Sequence, residues 1–308
     1  MKFGVGMPGL ILYPPVMSPW EPGARPEEIV RVAQKADELG YDFLTVSEHI
    51  VMPTEMAEIM GPRFPDSFTG IAFLAGATKR IRVLTYILVL PYRNAVLLAK
   101  GVSTLDFMSG GRVILGTAAG HLEREFEILK APYHERGAMT DEYLRAMKEL
   151  WTADEPSFQG RYVQFDRIVF EPKPVQKPHP PVWIGGNTKA AMRRAANMGD
   201  GWLPWLIGRQ QIPQCLEYIR QQPGFQKRNR PFDVVMPLAT FQVEDYSHRE
   251  LGKTIMPTTR DQIIEDVGLM KEAGVTGTLI NVPRTKSADQ FIEWLEWFAA
   301  EIFPAARK

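Results

Sequence analysis

Five histidines are spread through the chain, His49, His121, His134, His179 and His248, and no two share the i, i+2 or i, i+4 spacing that gathers imidazoles on one metal ion. A metal centre is not expected. His49, beside Glu48, follows the apolar run Phe43 to Val46, and His121 follows the run Val113 to Thr117. A histidine titrates near neutrality, so at the end of a buried strand it can give or take a proton during catalysis. One histidine in such a place is more often a hydrogen-bonded rim residue; two converging on one pocket shift the balance toward acid–base work. His134, His179 and His248 fall in helix or loop segments and are expected on the solvated surface.

Gly185 and Gly186 follow the strand-like PVWI and open a helical pattern near Lys189. Backbone N–H groups freed by two glycines beside a helix N-terminus make an anion cradle. The same pair also serves a tight strand-to-helix turn, and both readings stand. Two other matches carry no chemistry. Gly4, Gly6 and Gly9 fit G-x-G-x-x-G, but the first lies inside the opening strand, Pro8 interrupts the motif and no helix follows until about Pro26. Leu251 to Thr254 reads LGKT, yet Ser247 stands where a phosphate loop needs its first glycine.

The elements that must position these groups recur. Strand-like runs lie at Phe3 to Met7, Phe43 to Val46, Val83 to Leu90, Val113 to Thr117, Val182 to Ile184, Gly201 to Leu203, Val234 to Phe241 and Gly277 to Asn281. Helical patterns separate them at Pro26 to Leu39, Asp66 to Ala77, Ala95 to Met108, Glu123 to Leu150, Lys189 to Met198, Gln211 to Gln221, Arg260 to Ala273 and Ala288 to Ile302. Eight βα units predict an α/β fold of the (β/α)₈ TIM-barrel type, with its chemistry at the C-terminal ends of the strands. No composition shift or linker divides residues 1–308, so one domain is expected. The 36 basic and 36 acidic residues cancel, which argues against nucleic acid or an anionic membrane as partner. A lone cysteine, Cys215, and no long apolar stretch at the start lead us to expect a cytoplasmic protein. The apolar segment Pro8 to Arg25 predicts a hydrophobic wall or lid over the mouth, or else packing on the rim or at a dimer contact.

Several segments carry a family resemblance. SEHI at Ser47 to Ile50, LVLPYRNAVLLAK at Leu88 to Lys100, STLDFMSGGRVILGTAAG at Ser103 to Gly120 and PPVWIGGNTKAAMRRAANMGDGWLP at Pro180 to Pro204 resemble the luciferase-like monooxygenase superfamily. EREFEILKAPYHERGAMTDEYLRAMKELW from Glu123 and FQGRYVQFDRIVFEPKPVQKPHPPVWIGG from Phe158 are most similar to its branch of coenzyme F420-dependent oxidoreductases. The resemblance implies a bulge in the third strand, often with a non-prolyl cis peptide, that supports the deazaflavin ring at Tyr86 and Ile87. It places Ile184, Gly185, Gly186, Asn187 and Thr188 along the cofactor, and the acid–base positions on His49 and His121; Glu48, beside His49 after the same strand, is a further candidate from its position. The function it implies is hydride transfer between F420 and a small, apolar or mixed-polarity substrate. The alternatives are an FMN-dependent monooxygenase fed by a partner flavin reductase, and a flavin-binding barrel without catalysis. Similar proteins are often homodimers.

Overall fold

The structure, a computed structural model, describes residues 1–238 and 259–307. Strand and helix alternate from the start: β1 (Lys2–Gly6), α1 (Pro26–Leu39), β2 (Phe43–Val46), α2 (Thr54–Met60), α3 (Ser67–Ala77), β3 (Arg82–Thr85), β4 (Leu88–Val89), α4 (Ala95–Ser109) and β5 (Val113–Ala118). The middle of the chain holds α5 (Glu123–Ile128), α6 (Arg136–Thr152), β6 (Phe158–Gln159), β7 (Gln164–Phe165), β8 (Val182–Gly185), α7 (Lys189–Met198) and β9 (Gly201–Leu203). It continues through α8 (Ile212–Arg220), α9 (Pro223–Gln226), β10 (Asp233–Pro237), α10 (Arg260–Glu272), β11 (Gly277–Leu279), α11 (Ala288–Glu301) and α12 (Phe303–Ala306).

Every neighbouring pair around the main sheet is parallel, and β1 pairs with both β2 and β11, so the sheet closes on itself. β3 and β4 are two segments of one stave, which makes the nine segments an eight-staved (β/α)₈ barrel. The expected strand Val83 to Leu90 is thus interrupted at Tyr86 and Ile87, whose peptide bond is cis. Threonine hydroxyls bridge the interruption. Thr85 Oγ1 donates to Gly116 O at 2.7 Å and accepts from Gly116 N at 3.0 Å, while Thr117 Oγ1 donates to Leu88 O at 2.9 Å.

Strand side chains alternate between two cores. Leu44, Val46, Val83, Val113, Leu115, Val182 and Ile184 face outward and pack under the helices. Phe43, Leu84, Tyr86, Ile114, Trp183, Leu203, Val235 and Leu279 fill the barrel. The rings of Phe43 and Trp183 meet edge to face at 5.8 Å, and glycine makes room for both. A Cβ on Gly4 would fall 2.0 Å from the Phe43 ring, and one on Gly201 would fall 2.7 Å from Trp183. The interior is therefore a packed plug, and open space begins only above it, where Gly6 ends β1 exposed.

One expectation changes and one element is new. The helix expected from Glu123 to Leu150 is two, α5 and α6, broken where Lys130 takes φ 55° and Pro132 follows. β6 and β7 form an antiparallel hairpin that sequence patterning did not reveal, since each is two residues long. The strand expected to reach Phe241 is described as far as Pro237, and Phe241 lies outside the described residues. Among the described residues no helix is long and apolar enough to cross a membrane.

Candidate active site

The loops after β2 and β5 bring His49 and His121 together at the C-terminal mouth, ring centroids 6.0 Å apart and nearly perpendicular. His49 is mostly buried, its ring edge against Phe64 at 4.7 Å, whereas His121 is exposed. His49 Nδ1 lies 2.8 Å from Oε2 of Glu125, a residue of the short helix α5. That carboxylate is itself buried and accepts from the Tyr92 hydroxyl at 3.1 Å and from the backbone N–H groups of Ile50 and Val51 at 2.8 and 3.2 Å. Burial alone would raise the Glu125 carboxyl, but the His49 contact and the other donors outweigh it and hold it below the usual carboxylate range. Burial, reinforced by Glu125, pushes the Tyr92 phenol up, so it stays a donor.

Glu125 and Tyr92 were not legible as site residues. Glu125 stands four positions beyond His121 in a run of charged residues, EREFE, and only the fold-back of α5 buries it. The neighbouring buried Phe126 is the one sequence cue that this face turns inward.

Glu48, the further acid candidate, is held in an ion pair. Its buried carboxylate takes both arms of Arg93, with Nη1 at 2.7 Å, and accepts from Ser67 Oγ at 3.1 Å and Val89 N at 3.2 Å. Arg93 also pairs with Asp66, the N-cap of α3. These bonds lock the β2 loop to α3 and the end of β4, leaving Glu48 engaged on both oxygens.

The residues at and after the end of β8 separate by parity. Ile184 is buried in the outer core, so its side chain cannot meet a ligand in the mouth, while Gly185 faces inward with its missing Cβ 2.2 Å from Ile87 Cδ1. Gly186 spends its N–H on Leu203 O at 3.2 Å and its carbonyl on Trp202 Nε1 at 2.8 Å, so it does not serve an anion cradle. Asn187 is tied to Trp205, accepting from its N–H at 3.0 Å and donating to its carbonyl. Thr188 caps α7 by accepting from Ala191 N at 3.2 Å, and Thr188, Lys189 and Ala190 are exposed. Ile87 packs directly over Gly185, and Tyr86 is buried with its ring 6.3 Å from that of the exposed Trp205.

The segment Pro8 to Arg25 is tied down by hydrogen bonds. Glu21 accepts from Gly9 N and Ser18 N, Ser18 Oγ accepts from Thr285 N at 3.0 Å, and Trp20 Nε1 donates to Thr285 Oγ1 at 2.9 Å. Arg63 and Arg284 are engaged on carbonyls of the same segment. Burial pushes the Tyr13 phenol up to about 12. Away from the mouth, His179 is buried rather than solvated, and that burial lowers its affinity for a proton despite the contact of its Nδ1 with Pro180 O; His134 is exposed, and His248 lies outside the described residues. Among the described residues no cluster of three metal-ligating side chains exists.

A match to the family Luciferase-like monooxygenase extends over residues 1–247. The chain belongs to the luciferase-like monooxygenase family. Over 130 residues it is 35% identical to the FMNH(2)-dependent dimethylsulfone monooxygenase of Pseudomonas putida, spanning 41% of this chain and 36% of that enzyme. Over 182 residues it is 29% identical to the F420-dependent glucose-6-phosphate dehydrogenase of Amycolatopsis mediterranei, spanning 58% of this chain and 53% of that one. Each alignment covers less than two thirds of the relative's own length. The monooxygenase RslO1 from Streptomyces bottropensis shares the whole luciferase-like barrel, with a TM-score of 0.78 over 99% of both chains at 22% identity. The family therefore offers both F420-dependent and FMN-dependent relatives.

Proposed function

We propose that this chain is an F420-dependent oxidoreductase that moves a hydride between coenzyme F420 and a small organic substrate of apolar or mixed polarity. The observation that carries the reading is the His49–Glu125 pair set beside His121 at the barrel mouth, a proton-transfer group of the kind that hydride exchange with an alcohol or carbonyl requires. The residues present fit a ring cofactor with an anionic tail. Ile87 offers a half-buried apolar surface, Gly185 keeps the β8 wall low, and the exposed first turn of α7 suits a phosphate. A bound deazaflavin supplies hydride chemistry with little tendency to react with oxygen. The protein's part is to hold the substrate, exclude water with the wall from Pro8 to Arg25, and supply the proton at His49. Exposed Val16, Ile50 and Trp205 support an apolar substrate.

The FMN reading, with reduced flavin from a separate reductase, draws on the 35% identity to the FMNH(2)-dependent enzyme. Oxidation of F420H₂ by the purified protein, screened against enones, quinones and aldehydes, separates the two. With a working substrate, His49→Ala is expected to keep most cofactor affinity and lower the single-turnover rate by about 10²–10⁴. A wild-type rate would return His49 to the rim residues.

A further inference from the structure

We infer that Glu125 is a positioning residue which, with Tyr92, fixes the tautomer of His49, holding its proton on Nδ1 and leaving Nε2 as the proton acceptor. This rests on the reading of His49 as the proton-transfer group. The hydrogen-bond count carries the inference. Glu125 receives four contacts, from His49 Nδ1, the Tyr92 hydroxyl and the N–H groups of Ile50 and Val51. An ionised carboxylate has no hydrogen to give, so each contact must be donated by its partner, and His49 must carry its hydrogen on Nδ1. The Phe64 ring lies nearly perpendicular to the imidazole at 4.7 Å and the His121 ring stands 6.0 Å from it, while nearby Glu48 is paired with Arg93. The carboxylate that faces the imidazole is therefore Glu125.

The consequence is directional. With Nδ1–H held, the lone pair of Nε2 forms an N–H bond as a substrate O–H bond breaks, its electrons staying on oxygen. The imidazolium so formed lies against the Glu125 carboxylate, which stabilises it. In the reverse direction the same ring returns that proton.

Glu125→Gln tests the inference, because the amide has nearly the same shape and inverted hydrogen bonding. Ile50 and Val51 both donate to Oε1, so the amide carbonyl must face them, turning its NH₂ toward His49 and Tyr92. Nδ1 then becomes an acceptor and the proton moves to Nε2. Nitrogen-15 NMR of histidine-labelled, cofactor-free protein at alkaline pH reads this directly, with the His49 signals assigned by their loss in His49→Ala. The expected result is the Nδ1–H tautomer in wild type and the Nε2–H tautomer in Glu125→Gln. The Nε2–H form in wild type, or the same tautomer in both, would overturn the inference; the wild-type spectrum decides it even where the variant fails to fold. Turnover is read separately: it should fall by about 10²–10⁴ in Glu125→Gln. A flipped tautomer with unchanged turnover would uphold the role of Glu125 and remove His49 from the chemistry, whereas an unflipped one removes Glu125 whatever the rate.

Discussion

At the scale of single residues, strand ends located His49 and His121 correctly because a barrel fixes where strand ends point. Parity along the strand was equally available and would have turned Ile184 outward, since Trp183 and Gly185 share the inner face. The partners were not legible. Glu125, Tyr92 and Arg93 come from segments remote from His49 and Glu48 in sequence, and only the folded loops pair them. Gly185 is where the two sequence readings of the glycine pair meet a definite contact. Because a Cβ there would overlap Ile87 Cδ1, Gly185→Ala is expected to cost about 1–3 kcal/mol by overpacking and to push Ile87 toward the mouth. Trimming the obstacle in Gly185→Ala, Ile87→Val should recover a large part of that loss in urea unfolding. A purely additive double mutant would show that the two side chains do not meet.

Among the elements, long periodic helices and buried strands were read within a residue or two, while short or broken ones were not. Two-residue strands β6 and β7 carry too few positions to show a period, and the α5–α6 break depends on Lys130 adopting a left-handed backbone. The junction from α1 to β3 shows what holds such elements in register. Asp37, in the last turn of α1, accepts from the N–H groups of Lys79 at 2.6 Å, Arg80 at 3.1 Å and Ile81 at 2.8 Å. Burial opposes its ionisation, yet those backbone donors prevail and keep its carboxyl below the ordinary aspartate range. A depressed folded-state pKa stabilises the protein above the unfolded value, about 3.9, and that contribution is lost as pH falls through the folded value. Asp37→Ala should therefore cost about 1–3 kcal/mol at neutral pH and flatten the acid side of the stability profile. An unchanged slope below about pH 5 would contradict this.

For the whole molecule, the recurrence of βα units made the barrel legible, and the family match agrees with it. Surface chemistry points further, to assembly. Helix α3, SFTGIAFLAGA, carries no charged residue, and beside it Leu97, Phe107 and Met108 of α4 are 74%, 57% and 77% exposed. Phe73 of α3 is exposed as well, and exposed apolar side chains gathered on two adjacent helices ask for cover of the kind a twofold contact with a second copy gives. Light scattering is expected to give twice the 34.9 kDa chain mass for wild type and a single chain mass for Phe73→Glu, Met108→Lys. A monomeric wild type would leave that face without this role. The central claim is the cofactor, and a binding titration tests it most directly. Purified protein titrated separately with F420 and FMN, followed by the absorbance or fluorescence of each, should saturate with F420 at an affinity at least about tenfold tighter than with FMN. Saturation by FMN with no binding of F420 would contradict the account.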